Sequence, residues 1–363
     1  MVVVVKIGTS SITDKRGIIQ VEALAKLCAE VATLRQRGDR VVIVTSGAIA
    51  AGLPVLGFDG TAPTDMATLQ AVSAVGQSRL LRVYDDVLAG HGLIGGQVLL
   101  APLDFVHRKQ YLHARQTLSR LLELGVVPVV NENDAIADDE IRFGDNDRLA
   151  ALVAHLVSAE ILVLLTDMPG VLTADPRFDE QASLIEEIIT VDHSLEAMAG
   201  GPGSERGSGG MASKLAAAKI AAWSGVRAVI AGAARPDVLV DAVDGRSGAG
   251  TVIRPNRRRL PARKLWIAFA IGASGTVIVD DGARLALTER QTSLLPAGVV
   301  DVVGEFDAED AVEIAGLDGR VFAKGLTRHP SRWAKEWAGQ RTSALPPDAV
   351  PELIHRDDLV MLP

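Results

Sequence analysis

Val126-Val-Pro-Val-Val-Asn131-Glu-Asn-Asp134 joins an apolar run to a polar run, which continues as Ala-Ile-Ala-Asp-Asp-Glu-Ile-Arg-Phe-Gly-Asp-Asn146-Asp147. The apolar run, Val126 to Val130, predicts a buried strand. Beyond Asp147, apolar residues recur at helical spacing and predict a helix: Leu149, Leu152, Val153 and Leu156. The polar run therefore lies at the carboxyl end of a strand, where open α/β sheets bind their ligands.

The polar run is unusually dense in side chains that can bind a small zwitterion. Ten of the seventeen residues from Asn131 to Asp147 carry a carboxylate or an amide. Such groups suit a ligand with both an ammonium and a carboxylate, for example a free amino acid. A solvated acidic loop would show the same composition, so this stretch alone leaves both interpretations open.

Length and composition indicate a soluble globular chain of two domains. The chain has 363 residues, which is more than a single domain usually contains. Hydrophobic residues make up 48% of it, enough for a substantial core. Its net charge of −8 disfavours general binding to nucleic acid. The single cysteine, Cys28, shares a helical stripe with Leu24 and Val31, which predicts a core residue and fits a reducing, cytoplasmic location. The apolar run Val2 to Val5 is too short for a signal sequence, and no membrane span is expected.

The first 253 residues alternate strand and helix, the pattern of a mainly parallel sheet sandwiched by helices. Helices are expected over residues 21–37, 69–87, 112–122 and 211–222. Pro128 is awkward, because proline in a central strand removes a ladder donor and favours an edge or a bend. The predicted strands are Val2 to Val5, Val41 to Val44, Gln97 to Leu100, Val126 to Val130, Ile161 to Leu165 and Val226 to Ile230.

The chain changes character at Arg254. Residues 254–264 hold six basic residues and two prolines, which predicts a linker between a first domain, 1–253, and a second, 265–363. The second domain is predicted to be a small β-rich barrel or sandwich without long helices. Its expected strands are Trp266 to Ala270, Thr276 to Val279, Val299 to Val303, Val312 to Ile314 and Arg320 to Ala323.

Two lysines and a glycine-rich loop suggest a phosphate site. Lys6 ends the first strand, and Lys214 follows the glycines of Gly207-Ser-Gly-Gly-Met211. Backbone N–H groups of such a loop and the following helix N-terminus bind anions. Gly-Lys-Ser/Thr is missing, which argues against a P-loop triphosphatase. No Gly-x-Gly-x-x-Gly turn follows the first strand, which disfavours a dinucleotide oxidoreductase.

Together, the polar strand ends and the phosphate site predict phosphoryl transfer to a small amino acid. In such a reaction the protein mainly positions the reactants and neutralises charge on the moving phosphoryl group, which Lys6, Lys214 and Mg²⁺ could do. A carboxylate acceptor is already ionised at neutral pH, its ordinary pKa being about 4.3. The reaction would then need no general base, in keeping with the lack of an obvious catalytic histidine.

These motifs closely resemble the bacterial glutamate 5-kinases, a family of the amino acid kinase fold with a C-terminal PUA domain. The resemblance spans nearly the whole chain. It rests on Val5–Ser10, Val44–Gly52, Ala74–Leu80, Val129–Asp134, Gly144–Asp147, Leu165–Asp167, Thr173–Arg177, and Gly207–Met211 with Lys214. Leu172 departs from the family, in which an aromatic residue is usual at this position.

The resemblance implies a role for each matching residue. Lys6 and Lys214 would stabilise the transition state, and Asp147 would orient them. Ser46, Asn131, Asp134 and Asn146 would bind glutamate. ATP would contact Lys6, Gly8, Thr166, Asp167, Ser208, Gly209, Gly210, Met211, Ala212, Ser213 and Lys214. No residue is assigned as a direct metal ligand.

The resemblance also implies cofactors and partners. ATP and Mg²⁺ would be used to form L-glutamyl 5-phosphate, the first step of proline biosynthesis from glutamate. L-proline would be a feedback inhibitor, and the protein would be a homo-oligomer, either a dimer or a tetramer. Two alternatives remain: another kinase of this fold acting on acetylglutamate or aspartate, and a PUA-type RNA-binding protein. Residues 257–363 carry 14 basic and 15 acidic residues, so tight binding of RNA is not expected.

Overall fold

The computed structural model describes residues 1–58, 63–105, 107–136, 146–177, 179, 181–191, 195, 210–256, 259–346 and 350–362. The chain forms two compact units, Met1–Arg259 and Leu260–Pro363. Within the described residues, no helix has the length and apolar character needed to cross a membrane.

The described part of the first unit contains one eight-stranded sheet in the order β3-β4-β2-β1-β5-β7-β8-β6. Neighbouring strands are parallel except β7 and β8, which pair antiparallel. The strands are β1 Val2–Ile7, β2 Arg40–Val44, β3 Gly95–Leu100, β4 Val127–Glu132, β5 Ile161–Thr166, β6 Glu187–Ile188, β7 Arg227–Gly232 and β8 Thr251–Ile253.

Helices connect these strands. They are α1 Thr9–Ile12, α2 Val21–Gln36, α3 Ala48–Gly52, α4 Met66–Gly90, α5 Arg108–Glu123, α6 Asn146–Leu156, α7 Met211–Trp223 and α8 Val238–Asp244, with 3₁₀ turns at Pro54–Leu56, Pro102–Phe105 and Asp134–Ile136.

Strand β1 lies in the middle of the sheet and is buried along its whole length. It pairs with β2 on one side, with Val5 opposite Ile43, and with β5 on the other, with Val5 opposite Val163. A parallel strand that is covered on both faces consists of a continuous run of apolar residues. Val2 to Val5 form such a run. Lys6 follows this run and is only 3% exposed. The fold therefore holds a lysine inside the protein at the carboxyl end of its central strand.

Strand β4 is interior even though it contains Pro128, which confirms the buried strand predicted for Val126 to Val130. Val127 N donates to Ile94 O at 2.8 Å, on the β3 side. Because successive N–H groups of a strand point in opposite directions, Pro128 N lies on the β2 side. The ladder between β2 and β4 begins one residue later, with Ile43 opposite Val129. The missing N–H of Pro128 therefore lies at the start of this ladder, and Val129 and Val130 pair with β2 beyond it.

Helices α3 and α4 pack backbone against backbone, and this contact positions the loop after β2. A Cβ added to Gly76 of α4 would lie 1.8 Å from Ala48 O, and one added to Gly52 of α3 would lie 2.1 Å from Val72 O. Only glycine permits such an approach. Gly47, with φ +93°, turns the chain from β2 into α3, which leaves Ser46 in the turn above α4.

The second unit is built on a five-stranded sheet in the order β10-β9-β11-β12-β13, with β9 and β11 parallel and the other pairs antiparallel. Its core includes Val277, Val312 and Ile314. The elements are α9 Ala262–Leu265, a π-helical turn Trp266–Ala270, β9 Gly275–Val279, α10 Asp281–Arg290, β10 Val299–Gly304, β11 Ala311–Ala315, β12 Val321–Thr327, α11 Ser331–Trp337 and β13 Ile354–Met361, with 3₁₀ turns at Pro296–Gly298 and Thr342–Ala344.

Two expectations for this unit were wrong. Trp266 to Ala270 is not a strand but continues the helix that begins at Ala262. Trp266 and Ile267 are buried, and a short buried apolar run does not distinguish strand from helix. The ten-residue helix α10 was also unexpected. Its N-cap, Asp280, accepts a hydrogen bond from Ala283 N, a signal that could have been read in the sequence.

Candidate active site

Polar residues predicted as functional gather at one edge of the first unit's sheet. Lys6 is near the end of β1, Ser46 follows β2, Asn131 is near the end of β4, and Thr166 ends β5. Because β4, β2, β1 and β5 are consecutive and parallel, their carboxyl ends meet at the same edge. This edge is the expected position for a ligand site in an open α/β sheet.

Lys6 and Lys214 meet at one carboxylate. Lys6 Nζ lies 2.5 Å from Asp147 Oδ1, and Lys214 Nζ lies 3.1 Å from Asp147 Oδ2. The Asp147 side chain is fully buried, and the two lysine side chains are 3% and 8% exposed. Ser213 Oγ lies 3.0 Å from Asp147 Oδ2 and 2.8 Å from Gly210 O, and its single hydrogen is shared between these two acceptors. Three elements thus supply one cluster: β1 brings Lys6, the first turn of α6 brings Asp147, and the first turn of α7 brings Ser213 and Lys214.

This cluster suits the binding of a further anion. Two ammonium groups face a single carboxylate, so the three side chains together carry positive charge. In a buried, weakly polarisable environment, such charges act more strongly than they do in water. Lys214 lies one turn from the start of α7, and a helix N-terminus adds a partial positive charge there. A phosphate or a transferring phosphoryl group is the natural ligand for this arrangement.

A second cluster is made of amides and a hydroxyl. Asn146 Nδ2 lies 2.6 Å from Thr45 O, 2.6 Å from Asn131 Oδ1 and 3.2 Å from Ser46 Oγ. The amide nitrogen is therefore used within the protein. The two short contacts use both amide hydrogens, and Ser46 Oγ beside them keeps its own hydroxyl hydrogen to donate elsewhere. Asn146 can offer an acceptor and Ser46 a donor, which together match an ammonium and a carboxylate.

Helix α4 supports Asn131 and Asp134 through two residues for which the sequence had predicted no function. Gln77 Oε1 accepts from Asn131 Nδ2 at 2.6 Å, and Ser73 Oγ donates to Asp134 Oδ2 at 2.9 Å. Both α4 side chains are buried. Polar residues beside the buried stripe of Val72, Gly76 and Leu80 were the signal in the sequence that could have identified them.

The buried Tyr84 of α4 fixes the end of β2. Its hydroxyl and Thr45 Oγ1 are 2.9 Å apart, and Tyr84 is 0% exposed. Burial raises the pKa of the Tyr84 hydroxyl, whereas its hydrogen bond with Thr45 lowers it to a smaller extent. The phenol therefore stays neutral and acts as a support for the turn that carries Ser46.

Two of the residues expected to contact a nucleotide, Thr166 and Asp167, lie beside a cleft. Thr166 Oγ1 donates to Asp167 Oδ1 at 3.0 Å. Both residues line a cleft of about 460 Å³, a volume that ligand sites commonly have. Its lining is Ile7, Ser10, Ser11, Glu22, Ala23, Lys26, Leu27, Glu30, Leu165, Thr166, Asp167, Ala233 and Ala234.

The glycine-rich loop and the start of α7 are only partly within the described residues. Gly210 is the N-cap of α7, and Met211, Ala212, Ser213 and Lys214 form its first turn. A Cβ added to Gly8 would lie 3.7 Å from Lys6 Nζ, so Gly8 adjoins the lysine cluster. Ser208 and Gly209 lie outside the described residues, as do Gly144 and Asp145 of the polar loop.

Comparison with known families agrees with both units. Residues 1–232 match the amino acid kinase family, and residues 275–345 match the PUA domain. The family match covers the strands and helices that carry Lys6, Asp147 and Lys214. The PUA match falls within the second unit and contains four of its five strands, from Gly275 to Thr327.

Several curated relatives align over almost the whole chain. A protein of Burkholderia multivorans named glutamate 5-kinase is 45% identical over 363 residues, which is 99% of this chain and 97% of the relative. Proteins of the same name from Methylibium petroleiphilum and Pelobacter propionicus are 44% and 42% identical, again over 99% of this chain and 97% of each relative. The chain therefore belongs to the amino acid kinase family, and its smaller, β-rich second domain is a PUA domain.

Proposed function

We propose that this protein transfers the γ-phosphoryl group of ATP to the γ-carboxylate of L-glutamate and so forms L-glutamyl 5-phosphate. The observation that carries the proposal is the contact of Lys6 and Lys214 with opposite oxygens of Asp147, beside a cluster of amides and a hydroxyl. The relatives that align over the whole chain are named glutamate 5-kinase, which supports glutamate as the acceptor.

The amide and hydroxyl cluster would bind glutamate. Asn146 can accept a hydrogen bond from the ammonium, and Ser46 can donate one to a carboxylate. Asp134, held by Ser73, adds a carboxylate that favours a positively charged group. Asn131 would act by holding Asn146, since its amide is engaged with Asn146 and Gln77. The site would thus distinguish glutamate from an N-acetylated amino acid, whose nitrogen carries no positive charge.

The chemical step is an in-line displacement at phosphorus. An oxygen of the glutamate γ-carboxylate forms a bond to the γ-phosphorus of ATP, and the bond from that phosphorus to the β,γ-bridging oxygen breaks. The bond electrons leave with ADP. Because the acceptor is ionised already, no proton needs to be removed, and the described site contains no histidine that could serve as a base.

Lys6 and Lys214 would stabilise the negative charge that spreads over the transferring group. Positioned charges in a buried site do this without reorganising at the moment of reaction. Asp147 would hold the two ammonium groups apart from each other and aimed at one position. Ser213, which donates to the same carboxylate, would help to fix its rotamer. In this scheme Asp147 positions the lysines and does not touch the reacting atoms.

The nucleotide would lie between the lysine cluster and the cleft beside Thr166 and Asp167. The start of α7, from Gly210 to Lys214, would contact its phosphates through backbone N–H groups. Within the described residues, no group of three histidine, cysteine, aspartate or glutamate side chains could hold a metal ion. Mg²⁺ commonly binds through substrate phosphates and only one or two carboxylates. Mg²⁺ carried by the nucleotide would therefore need few ligands from the protein. Asp167 is the carboxylate we assign to it, and its charge would help to neutralise the phosphates.

The resemblance to the glutamate 5-kinases supports the remaining expectations. We propose that the reaction is the first step of proline biosynthesis from glutamate, that it occurs in the cytoplasm, and that L-proline inhibits it. A homo-oligomer, either a dimer or a tetramer, is expected on the same grounds. We also propose residues 254–264 as the linker between a kinase domain, 1–253, and the domain from residue 265 onwards.

An ATP-dependent hydroxamate assay tests the proposal. Hydroxylamine traps an acyl phosphate, so glutamate, aspartate and acetylglutamate can be compared side by side at equal concentration. We expect product with glutamate only, and an Asp134→Ala variant should raise the KM for glutamate far more than the KM for ATP. Equal or greater activity with aspartate or acetylglutamate would overturn the substrate assignment. Lack of product with all three, together with submicromolar binding of structured RNA, would favour an RNA-binding function instead.

A further inference from the structure

Gln77 is a buried polar residue that the proposed chemistry does not use. It lies on α4, is 8% exposed, and follows Ser73 by one helical turn. Among the described residues its side-chain hydrogen bond is to Asn131, with 2.6 Å between Gln77 Oε1 and Asn131 Nδ2, and none joins it to Asp147, Lys6 or Lys214. Burying an amide costs free energy unless it makes hydrogen bonds, so this contact is the physical reason for a glutamine here.

The contact is the first link of a directed chain of amides. Asn131 donates through Nδ2 to Gln77 and accepts through Oδ1 from Asn146, at 2.6 Å in both bonds. Asn146 Nδ2 also reaches Thr45 O at 2.6 Å. Asn131 and Asn146 therefore each have their nitrogen committed to an acceptor on the protein, and within the described residues the Asn146 oxygen is left to bind a ligand.

The direction of this chain depends on Gln77. If the Asn131 amide turned over, its oxygen would face the Gln77 oxygen and its NH₂ would face the Asn146 NH₂. Both contacts would be repulsive, and the buried amide groups would lose their hydrogen-bond partners. Without an acceptor at residue 77, one of these two penalties disappears. A turned Asn131 would then set its NH₂ against the Asn146 NH₂, which Thr45 O alone would still hold, so the Asn146 oxygen would be less firmly directed at an ammonium.

We propose that Gln77 is a positioning residue that acts through Asn131 to keep the Asn146 oxygen directed at the ammonium group of the substrate. The inference rests on the proposed function, because it assumes a substrate with a free ammonium at Asn146. It adds a determinant of specificity, because Gln77 of α4 would favour a substrate with an ammonium group through its effect on Asn131 and Asn146. Gln77 itself would touch neither the substrate nor ATP.

Isosteric substitutions at residue 77 test the proposal. Gln77→Met keeps the size of the side chain but removes the acceptor, whereas Gln77→Glu keeps an acceptor oxygen. We expect Gln77→Met to raise the KM for glutamate about tenfold, as loss of one hydrogen bond in a binding network does. The KM for ATP should change less than about twofold, because the relay does not reach the nucleotide. Gln77→Glu should stay within about threefold of the wild type for both, and Gln116→Met, on the exposed face of α5, serves as the control for the substitution itself.

Three results would overturn the proposal. One is a Gln77→Met enzyme with unchanged KM for glutamate, and another is an equal rise in both KM values, which a general loss of structure would cause. The third comes from the wild type and needs no variant to fold: in ¹⁵N-labelled protein, the Asn146 side-chain NH₂ should exchange with solvent slowly, since both hydrogens are bonded. Exchange as fast as that of an exposed asparagine would remove the relay.

The same measurements separate this inference from the proposed function. If the wild type neither binds nor phosphorylates glutamate, the proposed function fails. If the wild type does both and Gln77→Met behaves identically, only the role of Gln77 fails.

Discussion

Asp147 and Lys6 form a buried ion pair across two elements that are far apart in the sequence, with 2.5 Å between Lys6 Nζ and Asp147 Oδ1. One residue belongs to the central strand and the other to the start of α6. The other oxygen of Asp147 contacts Lys214 Nζ. One buried carboxylate therefore sets the positions of both ammonium groups. Its consequences can be measured in the absence and in the presence of nucleotide.

Asp147→Asn should destabilise the protein without nucleotide and respond unusually strongly to ATP. Removing one partner of a buried ion pair costs about 3–5 kcal/mol, because the remaining charges lose their counter-ion. Phosphate groups of ATP would supply anions to the same two ammonium groups. We therefore expect a lower Tm for the variant, and a larger rise in Tm on adding ATP than the wild type shows, by differential scanning calorimetry.

Asp244→Asn is the matched control for this experiment. Asp244 pairs with Arg37 at 2.5 Å at the surface, where solvent screening leaves an ion pair with little effect on stability. It should change neither the Tm nor the response to ATP appreciably. Equal destabilisation by the two variants would contradict the role given to burial.

Gly76→Ala should disturb the substrate site, whereas Gly90→Ala in the same helix should not. A methyl at Gly76 would come within 1.8 Å of Ala48 O and 2.5 Å of Gly52 N, so α4 must move away from α3. At Gly90, no atom lies within 4 Å of the added Cβ, and alanine is the better helix former by about 1 kcal/mol. Urea unfolding and the KM for glutamate check both. A Gly76→Ala protein as stable and as active as Gly90→Ala would show that the close packing is not needed.

His155 should make the first unit sensitive to mild acid. Burial, and to a smaller extent the charge of Arg115, lower the pKa of His155 below its usual 6.5. As the pH falls below 6.5, the unfolded chain takes up a proton that the folded chain resists, so the free energy of unfolding falls until the lower folded pKa is reached. Above pH 6.5 this contribution to stability is fully present.

The test compares the loss in free energy of unfolding between pH 8 and pH 5 in two variants. His155→Gln should lose less than the wild type does over this range. His113→Gln, at an exposed residue of α5, should lose as much as the wild type. If His155→Gln keeps the full loss, other groups cause the acid sensitivity.

Cys28 should be inert to alkylating reagents in the native protein. The thiol is buried on α2, and burial raises its pKa to about 12. Since the thiolate is the reactive form, iodoacetamide at pH 8 should modify the native protein at least about a thousandfold more slowly than the protein in urea. Mass spectrometry of samples quenched over time gives both rates, and similar rates would show that the thiol is accessible.

Patterns with strong local causes were predictable from the sequence. The β-branched run Val2 to Val5 gave a central strand because it is covered on both faces, and the helical stripe of Cys28 placed that residue in the core. The edge of the sheet where Lys6, Ser46 and Asn131 meet followed from the rule that parallel strands share a carboxyl end. Domain boundaries and the roles of individual site residues remain predictions.

Features that depend on tertiary context were not predictable in the same way. Trp266 to Ala270 reads equally well as strand or helix, and the preceding turn of helix decides it. Pro128 is accepted in the interior of the sheet because its missing donor lies where the ladder with β2 begins. Gln77 lies in Ala74–Leu80, one of the motifs that carry the family resemblance. Only the structure shows that its oxygen accepts a hydrogen bond from Asn131.

The most direct test of the central claim is single-turnover transfer from ATP to glutamate by Lys6→Met, Lys214→Met and the double variant. If both ammonium groups act on one phosphoryl group, each single variant should react at least about a hundredfold more slowly, a usual result for lost transition-state contacts. The double variant should be much less impaired than the product of the two effects, as for residues that act as a unit. A folded single variant that reacts within about fivefold of the wild type would contradict the account.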